Sequence, residues 1–293
     1  MADRIWIGTD TGNEGDWATA ANWTGAAVPV NGDDVYFVDS SQSVTEGFAQ
    51  GAVTLGSLNI AQSYTGLIGT AAGYLVINAT VLRIGYHYGP GTPAGSGRIK
   101  LNLGAAASTA IIFNTGSPDD SYLPAVRLLC NHANTTVEVR KGTVGIACEP
   151  TETSTLSKVS VSYVSQVTAD ADVYIGAGVT LTTLDKSGGD CVLECAATTV
   201  TNGAGKLITA GSGAITTMNC TGGTIESNSS GTITTCNAFD AGYIDFTKAQ
   251  AARTVTTLKI GNSARISLDP SIITLTNKIQ PYDASGDVTL QAA

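Results

Sequence analysis

The chain has 293 residues, 43 % hydrophobic and only 13 % charged, with 15 Lys+Arg against 24 Asp+Glu and a formal net charge of −9. That length suits one large domain or two ordinary ones. The acidic balance argues against nucleic acid, because phosphate binding needs a clustered cationic surface. No run of about 18 consecutive apolar residues exists, so no transmembrane helix is expected.

The chain opens MADRIWIGTD, with no cationic segment leading into a long apolar stretch, so no secretory signal is expected. All three tryptophans, Trp6, Trp17 and Trp23, fall in the first 23 positions. They sit among Gly, Asp and Asn, and "TGNEGD" and "VNGDD" read as tight turns. Residues 1–45 are expected to form a Trp-rich N-terminal cap or docking segment. Residues 86–97, "YHYGPGTPAGSG", read as a loop, either a surface contact or an ordinary connector.

From about residue 46 onward, helix patterns are nearly absent. Short alternating runs of Thr, Val, Ile and Ser are broken by Gly, Asn, Asp or Ser, which reads as β structure. A Thr-Thr-apolar tripeptide recurs: Thr135-Thr136-Val137, Thr182-Thr183-Leu184, Thr198-Thr199-Val200, Thr216-Thr217-Met218, Thr234-Thr235-Cys236 and Thr256-Thr257-Leu258. Ile225, Ile244 and Ile266 follow the later copies at similar offsets. Repeats this short lack the leucine-rich pattern and are too brief for propeller blades. They suit turns of a solenoid, each strand stacking on its equivalent about 4.8 Å away. "TNGAGK", "TAGSGA", "CTGGT" and "SNSSGT" supply corners. The expected fold is all-β, a right-handed parallel β-helix over 46–270, with 271–293 as a C-terminal cap or tail. The turn spacing also partly fits a β-sandwich.

A solenoid exposes core and unpaired backbone at its ends, so it needs caps. Trp6, Trp17, Trp23 and Phe37 are the residues expected to form the cap, or to dock on a partner. If Met218 and Cys236 are equivalent, Cys236 and Cys220 face inward. The six cysteines (130, 148, 191, 195, 220 and 236) include no CxxC, and His87 and His132 complete no zinc set. Buried thiols are expected, disulfides being the other reading.

The pattern Trp6-x-Gly8, Gly15-Asp16-Trp17, Ala21-Asn22-Trp23, Pro29 and Gly32-Asp33-Asp34-Val35-x-Phe37 resembles the autotransporter-associated β-strand repeat. The resemblance covers residues 6–38 and implies the start of a β-helix. This chain carries one copy of the motif, and neither a signal peptide nor a translocator barrel is expected from its sequence. In opening motif and overall style it is also similar to virion structural proteins of tailed bacteriophages. Some of those decorate the capsid exterior, often as trimers.

Catalytic candidates are thin. Asp119 and Asp120 are adjacent in a turn-like setting, whereas Asp190 and Glu194 would share one face of a strand. Asp33 and Asp34 could offer oxygens to Ca²⁺ but lack a calcium-loop spacing, so a turn is the expected role. No cofactor, metal or catalytic residue is assigned. The expected function is a non-enzymatic phage capsid decoration or stabilising protein on the outer surface of the head. It would assemble in the bacterial host cytoplasm, with the major capsid protein as partner and a homotrimer as the favoured oligomer. The alternatives are a carbohydrate-binding or carbohydrate-cleaving tail or spike protein, and an autotransporter-like adhesin fragment.

Overall fold

A computed structural model describes residues 2–86, 99–115, 124–162, 171–249, 251–261, 263–279 and 287–290. These residues form a parallel β-helix. Every pairing between its named strands is parallel, which excludes two antiparallel sheets packed face to face.

The register explains the composition. One inward column runs Val35, Leu58, Leu82, Ala110, Val137, Val159, Leu184, Val200, Met218, Cys236, Leu258. All of these side chains are buried. Each position stacks on its equivalent one turn away, so an apolar residue at one rung is covered by an apolar residue at the next. The second Thr of each Thr-Thr-apolar copy forms the neighbouring outward column through Thr136, Thr183, Thr199, Thr217, Thr235 and Thr257. Lys158 occupies that column between Thr136 and Thr183. The first Thr of the copies at 182, 198, 216 and 234 is exposed and stands outside the paired register.

A second face carries its own inward column: Ile99, Val126, Val144, Val173, Cys191, Leu207, Ile225, Ile244, Ile266. The three isoleucines picked out by their offsets therefore do stack. Parallel pairing continues outside 46–270 on both sides. Asp3–Ile5 pairs with Asp34–Phe37, which pairs with Ala49–Ala61; Arg253–Ile260 pairs with Ile273–Ile279, and Arg265–Leu268 with Asp287–Leu290.

Candidate functional site

The opening stretch closes on itself around its aromatic rings. Trp6, Trp17, Trp23 and Phe37 are each at most 1 % exposed. Trp23 is central, meeting Trp6 at 5.0 Å and Trp17 at 4.6 Å between centroids, both edge to face. Phe37 lies in strand Asp34–Phe37 and links the cluster to Tyr64 at 5.0 Å. The rings thus belong to the same core as the first rungs. Edge-to-face contact sets the positive edge of one ring against the negative face of the next.

The polar residues of this stretch hold its turns. Asn22 is fully buried. Its side chain accepts from the Asp10 N–H at 2.9 Å and donates to the Asn13 and Asp16 carbonyls at 2.5 and 3.0 Å. Its own carbonyl accepts from the Ile7 and Gly8 N–H groups. Asp16 accepts from the Ala18 N–H and the Thr19 hydroxyl, both at 2.9 Å. Gly15 and Gly47 lie so close to the Thr45 hydroxyl and the Asp16 carboxylate that neither could carry a side chain. The Trp6 and Trp23 indole N–H groups donate to the carbonyls of Gln42 and Trp17, at 2.9 and 2.8 Å. Trp17 Nε1 is buried with no hydrogen-bond partner among the described residues.

Asp33 has a turn role. It is buried and accepts from the Ala2 N–H at 2.8 Å, the Val30 N–H at 3.2 Å and Arg4 Nε at 3.3 Å. Burial alone would raise its pKa, but these three donors outweigh it and hold the carboxyl below its ordinary value. Asp34 accepts from the Ser57 hydroxyl at 2.6 Å. The two carboxylates are thus engaged with different protein donors. No group of three or more potential metal ligands occurs among the described residues.

Asp190 and Glu194 do lie on one outward side, exposed and half-buried respectively. Asp190 accepts from the Lys206 N–H at 3.0 Å, and Glu194 takes a hydrogen bond from the Tyr174 hydroxyl. Asp119, Asp120, His87 and residues 87–97 of the expected loop lie outside the described residues. His132 is half-buried, and its Nδ1 accepts from the Asn134 N–H at 3.1 Å. All six thiols are free. Five are buried and Cys148 is half-buried.

The sequence offers no local sign of a groove on the second face. It measures about 400 Å³ and is lined by Leu67, Gly69, Thr70, Ala71, Lys100, Pro124, Arg127 and Glu149. Lys100 and Arg127 are stacked neighbours in adjacent rungs. On the next rung the equivalent residue is Gly145, and Pro124 and Cys148 pack over the space its missing side chain leaves. Lys100 Nζ donates to the Thr70 and Ala71 carbonyls at 3.1 and 2.8 Å and lies 4.8 Å from the centre of the Tyr74 ring. Arg127 Nη1 meets Glu149 Oε1 at 2.6 Å. The Tyr74 hydroxyl donates to Glu152 Oε1 at 2.5 Å.

The architecture defines a parallel β-helical protein with an aromatic module at its N-terminal end. Compared with known proteins, the chain matches no family model, no curated protein and no solved structure.

Proposed function

We propose that this protein is a non-enzymatic structural component of a bacteriophage virion, docked on the outer surface of the head. One observation carries the reading. The segment that resembles virion proteins is the one whose Trp, Asn, Asp and Gly residues pack and hydrogen-bond among themselves and against the first rungs. Its chemistry is spent on rigidity, as a mechanical element requires.

The Thr199, Thr217 and Thr235 part of the outward column, with Thr201, Asn219 and Asn237 beside it, adds an uncharged lateral patch over three successive rungs. Such a surface can lie across neighbouring capsid subunits with little desolvation of charge. A protein that binds only the assembled shell stabilises that state by linkage. Shell sites with local three-fold symmetry favour a homotrimer. The test is mass spectrometry of purified virions, with copy number measured against the major capsid protein and oligomeric state measured by light scattering. A fixed stoichiometric ratio to the capsid protein is expected; absence from virions would refute the reading.

A further inference from the structure

We infer that the groove between the 67–73 segment and the stacked Lys100 and Arg127 side chains binds a short oligosaccharide of neutral pyranose units. The contacts the groove offers and its local charge both point to such a ligand, independently of the virion reading.

Arg127 has five N–H donors, and its Nη1 donates to Glu149 Oε1 at 2.6 Å. Its side chain is 14 % exposed and lines the groove. Beside it Glu149 is half open to solvent, at 50 %, and can accept further bonds. Leu67, an exposed apolar side chain at 43 %, and Pro124 supply apolar walls to the same groove. An occupant that accepts from Arg127, donates to Glu149 and rests an apolar face on Leu67 and Pro124 matches all of these walls. A pyranose does this, because its hydroxyls both donate and accept while its axial C–H groups form an apolar face. Concave sites with apolar walls and a few convergent polar groups are the usual form of small-ligand sites.

Lys100 and Arg127 are matched by Glu149 and by Glu152, which the Tyr74 hydroxyl holds at the same edge. The four formal charges cancel, and the chain as a whole carries −9. An anionic ligand would gain no net local attraction and would approach against the field of the whole protein. The groove therefore calls for a polar but uncharged ligand.

Its rim is already fixed. Lys100 pins the 70–71 carbonyls, and Glu152 accepts from Tyr74 while one of its oxygens accepts the Glu149 N–H at 3.0 Å. A preorganised rim lowers the ordering cost of binding.

The experiment uses the full chain on an array of short neutral gluco-, galacto- and manno-oligosaccharides beside their uronate counterparts. The strongest ligand is then titrated by calorimetry against wild type, Arg127→Ala, Glu149→Gln and Leu67→Ala. Binding to a neutral member is expected, weakened at least about tenfold by Arg127→Ala. Glu149→Gln and Leu67→Ala should give smaller losses, with thermal melting near wild type for Leu67→Ala and Glu149→Gln. Three outcomes overturn the inference: no neutral oligosaccharide bound, preference for the uronate forms, or affinity unchanged in all three variants. Because the array reads glycan binding and virion mass spectrometry reads capsid association, either proposal can fail alone.

Discussion

Trp23 Nε1 donates to the Trp17 carbonyl at 2.8 Å while the two indoles meet edge to face, 4.6 Å between centroids. One side chain thus fixes both the backbone and the ring of the other. Trp17→Ala removes a fully buried indole from this arrangement. It should destabilise the isolated protein by roughly 3–5 kcal/mol, as buried aromatic truncations do. Trp17→Phe should cost less, because it also removes a buried N–H that has no partner among the described residues. Thermal unfolding of both variants checks this. Unchanged melting of Trp17→Ala with weakened partner binding would instead make the ring a docking anchor.

Asp33 sets a pH dependence whose sign follows from its partners. Its folded pKa lies below the unfolded value near 4. Below that value the unfolded chain takes up a proton more readily than the folded one. The stability Asp33 contributes is therefore present above pH about 4 and is lost as pH falls through the folded pKa. Melting temperatures measured from about pH 6 down to about pH 2 should fall less steeply for Asp33→Asn than for wild type. Parallel slopes would show that the Ala2, Val30 and Arg4 contacts do not favour the charged form.

Much of the fold can be read from the chain itself, and the reason is periodicity. In Thr216-Thr217-Met218 and Thr234-Thr235-Cys236 the same polar-apolar order recurs at one turn's spacing, so register follows from composition. The Trp-rich stretch is legible because large rings among turn residues must find a core. The inward Lys186 and Asn202 are not legible, since each looks like a polar residue beside a corner. Nor is the groove. Leu67, Lys100, Arg127 and Glu149 come from four separate turns and share no local motif. Stacking alone brings them together.

The thiols should separate by depth. Cys220 and Cys236 are fully buried, and burial pushes both thiols up from their ordinary value. Cys148 is only half-buried; burial raises its thiol too, but the neighbouring Arg127 pulls the other way. The thiolate is the reactive form, and the two core thiols need local opening to be reached. Native-state labelling with a small thiol reagent, read by mass spectrometry, should modify Cys148 at least about tenfold faster than Cys220 or Cys236. Fast labelling of the two core thiols would mean the inward column is misaligned.

The inward column that begins Phe37, Ile60, Ile84, Ile112, Val139, Val161 then turns polar, continuing Lys186, Asn202, Cys220 before Ala238 and Ile260. Lys186 is 1 % exposed, and its ammonium donates to the Ala204 carbonyl in the next turn. Gly205 makes room for it: an added Cβ would come 2.7 Å from Nζ, at a backbone φ of +67° that already disfavours a side chain. Asn202 continues the pattern, donating to the Gly222 carbonyl at 2.8 Å. These side chains reach along the rod axis and satisfy corner carbonyls that the strand ladder leaves over. Lys186→Ala would open a cavity and strand the Ala204 carbonyl, so a loss of roughly 2–5 kcal/mol is expected. Lys186→Met keeps the volume and removes the cost of burying a charge, so it should fall within about 1.5 kcal/mol of wild type or exceed it. Chemical denaturation of the two variants separates volume from charge. If Met is as damaging as Ala, the hydrogen bond to Ala204 and not the filled space is what the core needs from Lys186.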